Sequence, residues 1–185
     1  MNNLEELNIT AKTKRKSLAL ENNFNINELS LMPELFDWVN CDVGLKYKFF
    51  MYLGGKDDGV ALRFFWNGCY EKHTLKTWSN LAKKFNGFVL DIGAHTGSYS
   101  LAAHTANKSL NILSFEPHYM NFSRLILNFN ANKMNTNNVF MCCVGDENKF
   151  VPFSTSSNIG YLTSGGSVGE RAGANVNSKI GRAHV

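Results

Sequence analysis

Residues 88–100 read Phe88-Val89-Leu90-Asp91-Ile92-Gly93-Ala94-His95-Thr96-Gly97-Ser98-Tyr99-Ser100. The pattern is a strand, a glycine turn and the start of a helix. Phe88, Val89, Leu90 and Ile92 form a short apolar run, suited to a strand covered on both faces. Gly93 and Gly97 remove side chains where the backbone must turn tightly and approach a ligand. Thr96 or Ser98 is placed to cap the helix, whose N-terminus presents unbonded N–H groups. Asp91 falls at the carboxyl end of the strand, where open α/β sheets bind ligands. A carboxylate there suits a ligand with donors or positive charge. A bare pyrophosphate is a poor match.

Downstream the alternation continues. Residues 99–106 read as a short helix, and residues 111–115 as a second strand ending at Glu116. Pro117 stands where a helix can begin. Phe122, Leu125, Ile126 and Phe129 give that helix an apolar stripe. Residues 139–144 read as a third strand ending at Gly145-Asp146. Strand, helix, strand, helix, strand with crossovers of this length predicts parallel strands and right-handed connections. Residues 150–153 read as a short strand. Residues 154–179 are rich in Ser, Gly and Asn, and no further helix or parallel strand is expected there.

Upstream, Leu4, Leu7 and Ala11 share one helical face, as do Leu29, Met32 and Phe36, with the polar stretch 22–27 between them. Pro33 fits the first turn of a helix running to about Val39. Residues 47–53 and 60–66 read as strands, joined as a hairpin by Gly54-Gly55-Lys56-Asp57-Asp58-Gly59. Leu75, Trp78, Leu81, Ala82 and Phe85 follow at helical spacing, with Lys83 and Lys84 in the last turn and Asn86-Gly87 as the stop. The division expected is an N-terminal helical appendage and hairpin start over 1–60, then a ligand-binding α/β domain over 61–179.

The 185 residues, 44% of them hydrophobic, suffice for one core. No apolar run approaches the roughly 20 residues of a membrane span, and the N-terminus lacks the apolar region of a secretory signal. Cys41, Cys69, Cys142 and Cys143 form no C-x-x-C pair, so buried reduced thiols and a cytoplasmic setting are expected. The net charge of +4 is mild, and Lys12, Lys14, Arg15 and Lys16 read as a solvated helix face. Neither a nucleic-acid nor a membrane partner is expected. His73, His104 and His118 have no metal-ligand spacing and read as surface or capping residues. No metal is expected.

The chemistry lies in Asp91-x-Gly93-x-x-x-Gly97 and in Glu116, 25 positions after Asp91. In doubly wound sheets an acid about 20 residues on accepts hydrogen bonds from ribose hydroxyls. NAD and S-adenosyl-L-methionine (SAM) both contain adenosine, so Glu116 does not separate them. The turn does: Gly93-Ala94-His95-Thr96-Gly97 lacks the G-x-G-x-x-G spacing that faces a pyrophosphate. SAM has no phosphate and carries an ammonium and a sulfonium. SAM is therefore the expected cofactor. An NAD-dependent oxidoreductase and a non-catalytic nucleotide-binding module are the alternatives.

VLDIGAHTGSYSL (89–101), FEPHYMNFSRLILNFNANK (115–133) and NVFMCCVGD (138–146) resemble the FkbM-type SAM-dependent methyltransferases, as does Gly68-Cys69-Tyr70-Glu71 upstream. The resemblance covers about residues 62–165. It implies a Rossmann-like class I methyltransferase that moves a methyl group to oxygen on a small-molecule or glycan acceptor. It implies that Asp91, Gly93, Ala94, His95 and Gly97 form the SAM turn and that Glu116 holds the ribose. Asp146 is expected near adenine, and Glu71 close to the cofactor. Asn128 and Asn132 match family asparagines and are expected to be structural. His95 departs from the family, which usually has Asn there; a contact near the methionine carboxylate is expected of it, and no catalytic residue is assigned.

The family's later K-I-D-x-E-G-x-E-like motif does not occur in residues 1–179, and its place would be shortly beyond them. The last six residues, Ile180-Gly181-Arg182-Ala183-His184-Val185, resemble the translation of a widely used short-read sequencing adapter (ATC GGA AGA GCA CAC GTC, then the stop TGA). The preceding adapter bases, AG, agree with a Lys codon AAG at Lys179. Residues 180–185 are therefore expected to be adapter read-through, and this chain to be an inactive N-terminal half with an open apolar edge at residues 89–92. Such a chain is expected to be insoluble or loosely folded. Resequencing of the locus from genomic DNA is expected to replace the six codons. Recovery of IGRAHV and its stop would end that reading.

Overall fold

The computed structural model describes residues 3–17, 24–154, 162, 166–168 and 175–181. It is a mixed α/β structure whose parallel sheet is built from the stretch quoted above. β3 (Phe88–Ile92) pairs in parallel with β4 (Asn111–Phe115), and β4 with β5 (Val139–Phe140). α5 (Ser98–Ala106) and α6 (Tyr119–Ala131) are the crossovers. Val89, Ile112 and Val139 are buried, as are Leu101, Ala102, Leu125 and Phe129 of the two helices, in one continuous cluster.

The N-terminal stretch differs from its sequence reading in two places. α1 (Asn3–Ser17) buries Leu7 and Ala11 as expected, but α2 is only Ile26–Ser30, closed by a capping box between Asn25 and Glu28. Pro33 disfavours helical backbone at Met32, and the chain leaves as a strand, β1 (Leu35–Cys41). β1 pairs antiparallel with β2 (Phe49–Gly55), from Leu35 opposite Gly55 to Cys41 opposite Phe49. Residues 60–66 are not a strand: they lie in α3 (Gly59–Asn67). Asp58 starts α3 by accepting the N–H groups of Val60 (2.8 Å) and Ala61 (3.2 Å), and left-handed Gly68 ends it. Val60, Ala61, Leu62, Phe64, Phe65 and Trp66 are all buried, and only the narrow face of Gly59, Arg63 and Asn67, four residues apart, is partly open. α3 runs through residue 60, and buried residues on both sides of that position share one cluster. α4 (Lys72–Ala82) is a helix as read, though Leu81 and Phe85 stay exposed.

α6 closes the free edge of β2 with side chains. Arg124, Asn128 and Asn132 recur every four residues, about 6 Å along a helix, close to the two-residue repeat of a strand. Arg124 Nη1 donates to Tyr52 O (2.8 Å), Tyr52 N to Asn128 Oδ1 (2.9 Å), Phe50 N to Asn132 Oδ1 (2.9 Å) and Asn132 Nδ2 to Phe50 O (2.7 Å). The helix thus supplies what a neighbouring strand would supply. Arg124 also pairs bidentately with Asp57 at 2.7 and 3.2 Å.

The C-terminal part also departs from its reading. The stretch 139–144 divides: β5 stays with the parallel sheet, while β6 (Cys143–Val144) joins a second sheet. That sheet holds β7 (Lys149–Ser154), β8 (Ser167–Val168) and β9 (Asn175–Gly181), in the order β6-β9-β7-β8. β9 is antiparallel to β7 and parallel to β6, where no parallel strand was expected. Its polar sequence carries no apolar alternation, and main-chain pairing places it. Ile180 and Gly181 belong to β9; residues 182–185 lie outside the described residues. So do residues 22–23 of the polar stretch and the side chains of Arg15 and Lys16. Lys12 is exposed and Lys14 Nζ reaches Met32 Sδ at 3.5 Å. Of the cysteines only Cys41 is fully buried; all four are unbridged. Among the described residues, no helix is long and apolar enough to cross a membrane.

β3 is covered on one face, not on both. Phe88, Leu90 and Ile92 are 61%, 41% and 59% exposed. Among the described residues β3 is also the outer strand of its sheet, with one edge not paired to a strand. A bare apolar face beside an open edge is a surface for association. Phe88→Lys with Ile92→Lys is expected to lower self-association, measured by light scattering, with little change in melting temperature. Equal scattering by both chains would show that this face is not the source.

Candidate functional site

The carboxyl ends of β3 and β4 open into a cavity of about 310 Å³. Asp91, Gly93, Ala94, His95, Ser98 and Tyr99 line one side, and Glu116, Pro117, His118 and Asn121 another. Val60, Tyr70, Phe153 and Gly166 complete the wall.

Glu116 is 5% exposed and organises the floor. Its Oε2 accepts the His95 N–H (2.8 Å); its Oε1 accepts the His118 N–H (2.9 Å) and Asn121 Nδ2 (3.3 Å). The main-chain N–H groups of Gly93 and Ala94 both bond Phe115 O, at 2.9 and 3.0 Å, which folds the turn back over β4. A carboxylate has about four acceptor positions, so Glu116 retains one on Oε2.

The two glycines do different work. Both have positive φ, +80° at Gly93 and +96° at Gly97. A Cβ on Gly93 would meet nothing within 4 Å, so this glycine borders open space. A Cβ on Gly97 would lie 2.5 Å from Leu125 Cδ1 and 3.1 Å from Phe129 Cε1. Gly97 is outside the cavity wall and lets α5 meet α6, where a ligand approach was expected.

Neither Thr96 nor Ser98 caps α5. Gly97 is the N-cap residue and offers no side chain. Thr96 Oγ1 sits 3.1 Å from His95 Nδ1 instead. Asp91 does the capping from β3: its Oδ2 accepts Ser100 N–H (3.1 Å) and Ser100 Oγ–H (2.6 Å), and Ser100 Oγ contacts Ser114 Oγ at 2.8 Å. A negative side chain thus already sits at the positive end of α5. Burial raises the Asp91 pKa, the Ser100 bonds oppose this, and nearby Glu116 adds to it.

That shift has a consequence for stability. The folded-state pKa of Asp91 is raised, so ionised Asp91 weakens the fold as pH rises through that pKa. Asp91→Asn keeps an acceptor for Ser100 and removes the charge. The variant is expected to melt at or above the parent at neutral pH, with the gap closing once both states of the parent are protonated in acid. Melting curves from acid to neutral pH check this; a variant less stable throughout would contradict it.

His118, read as a surface or capping residue, is buried at 6% exposure in the cavity wall. It precedes α6 without a side-chain capping bond, and its Nδ1 has no hydrogen-bond partner among the described residues. Burial lowers its pKa, against Glu116 and Asn121. His95 has φ +53°, and its buried Nε2 also lacks a partner.

Glu71 is exposed and outside the cavity wall, but its carboxylate accepts the Tyr99 hydroxyl, and Tyr99 lines the cavity. Asp146 is exposed and outside the wall. Asn128 and Asn132 are structural, bonding the edge of β2 from α6. Sequence reasoning missed Ser100, Ser114, Asn121, Tyr70, Tyr99 and Phe153. Two signals were present: a serine on the covered face of strand 111–115, and a histidine directly after strand-terminal Glu116-Pro117. Comparison of the chain with family models, with curated proteins and with solved structures finds no match to any of them.

Proposed function

We propose that the cavity binds SAM and that the chain carries the cofactor-binding part of a Rossmann-like class I methyltransferase, acting on an oxygen of a small molecule or glycan. One observation carries this reading. Asp91 occupies the α5 N-terminus that a dinucleotide's pyrophosphate would need, while Glu116 lies one strand away with an acceptor position left over. The cavity therefore suits an adenosyl ligand without phosphate. Its volume is at the lower end of small-molecule sites, which run from about 300 to 1,000 Å³.

The residues present fit the cofactor. Glu116 would accept one ribose hydroxyl, and Gly93 leaves room beside the backbone. His95 Nε2 and His118 Nδ1 would meet polar atoms of the ligand. When bound, SAM supplies an electrophilic methyl group on a sulfonium. The chain's residues position that ligand and shield it from water.

Calorimetric titration of the purified chain tests the reading with S-adenosylhomocysteine and, separately, NAD. Saturable binding of the first, absent for NAD and weakened at least tenfold by Glu116→Ala, is expected. Binding of NAD alone, or of neither, would overturn it.

A further inference from the structure

The cavity lining holds two carboxylates, Asp91 and Glu116, and the rings of Tyr70, Tyr99 and Phe153. Glu116 already receives three N–H donors, from His95, His118 and Asn121. Glu71 stands outside the wall, holding the Tyr99 hydroxyl. No Lys or Arg lines the cavity among the described residues. The lining is thus aromatic and acidic, without a cation of its own.

The arrangement is held in place by features that cost local stability. Glu71 has left-handed backbone, φ +40° and ψ +50°, which disfavours a residue with a Cβ. It occupies the N-cap of α4 yet makes no capping bond, and its carboxylate goes to Tyr99 instead. Trp78 Nε1 donates to Tyr99 O at 2.9 Å and its ring lies 6.4 Å from the Tyr99 ring. Phe64 backs Tyr70 at 6.2 Å. Both phenols stay protonated well above neutral pH: burial, then Glu71, pushes Tyr70 up to about 12, and raises Tyr99 with a further push from Asp91.

We infer that Tyr70 and Tyr99, with Glu71 and Asp91 beside them, form an onium subsite in this cavity that prefers the positively charged form of the ligand over its neutral counterpart. Aromatic faces attract a cation through their quadrupole, and Trp and Tyr do so best. A carboxylate bonded to one phenol strengthens the field at the ring. The subsite rests on the SAM reading and adds what that reading lacks: a physical reason for a charged sulfonium to bind before transfer and a neutral thioether to leave after it.

The test compares three probes on the full chain by calorimetry: SAM with its sulfonium, sinefungin with an ammonium at that position, and neutral S-adenosylhomocysteine. SAM and sinefungin are expected to bind about threefold to thirtyfold more tightly than S-adenosylhomocysteine, the range for one desolvated cation–π contact. Glu71→Gln and Tyr99→Phe, each checked for an unchanged melting temperature, are expected to draw that ratio toward one. Tyr70→Leu removes a ring and is expected to do the same if either first variant folds poorly. If all three probes bind equally to the parent chain, or if the ratio survives these substitutions, the subsite is overturned while the cofactor reading stands. If none of the probes binds, both fall together.

Discussion

Gly97→Ala is expected to destabilise the fold by roughly 2–5 kcal/mol, whereas Gly93→Ala is expected to cost only about 1–2 kcal/mol. Both residues have positive φ, so both substitutions carry the left-handed penalty of about 1–2 kcal/mol. Only at Gly97 does the new methyl group collide. It would lie 2.5 Å from Leu125 Cδ1 and 3.1 Å from the Phe129 ring, and both side chains are fully buried. Overpacking of that kind adds about 1–3 kcal/mol. Domains of this size hold roughly 5–15 kcal/mol in all, so Gly97→Ala takes a large share. At Gly93 the methyl group would enter open space beside the cavity and is expected to weaken ligand binding more than folding. Urea unfolding of the two variants checks the difference. Equal midpoints would show that Leu125 and Phe129 can yield, and that Gly97 is there for the turn alone.

Asn128→Leu is expected to cost about 2–6 kcal/mol, and Asn132→Leu less than about 1.5 kcal/mol. Asn128 is fully buried and binds two main-chain groups from different parts of the chain: Tyr52 N–H at 2.9 Å and, through Nδ2, Thr96 O at 2.8 Å. Leucine has nearly the same shape and leaves both without a partner, at about 1–3 kcal/mol each. Asn132 serves Phe50, which is 43% exposed, so water can take over its bonds. The two asparagines sit one helical turn apart on the same face, so the pair isolates burial from position along the helix. Thermal and urea unfolding of both variants measures the contrast. Similar losses would mean that the ladder along β2 acts as a unit in which Asn128 holds no special position. Thr96 lies in the glycine turn, so the Asn128 variant is also expected to loosen the cavity wall beside His95.

Much of the parallel sheet was legible. β3, α5, β4 and α6 lie where apolar pattern and turn residues put them, because each carries an apolar run or stripe with a glycine or proline at or near its border. α3 was not legible as a helix. Its apolar and aromatic residues at 60–62 and 64–66 imitate a strand, and only the narrow face of Gly59, Arg63 and Asn67 breaks the run at helical spacing. The signals that survived were at the ends, Asp58 and Gly68. β1 was misread for the opposite reason. Leu29, Met32 and Phe36 fit a helical period by chance of spacing, while Pro33 ends α2 and Phe36 faces outward from a strand. β9 left no trace because a polar strand is placed by main-chain bonds to β6 and β7, which every residue except proline can make.

By itself the sequence determined the strand–turn–helix at residues 88–100, the acid at the end of the next strand, and the direction of both strands. These follow from local patterns: a short apolar run, two glycines four residues apart, and a crossover too long for a hairpin. Only the tertiary structure decided what the acids do. Asp91 and Ser100 are nine residues apart and form the cap of α5 only once the turn has closed. Glu116 receives His118 and Asn121 from the residues that follow it, but His95 only because pairing of β3 with β4 sets the glycine turn beside it. Gly97 and Gly93 look alike in the sequence and differ because Leu125 and Phe129 arrive beside one of them. Local propensity sets where an element begins and ends; which atoms then meet is set by packing between elements distant in the chain.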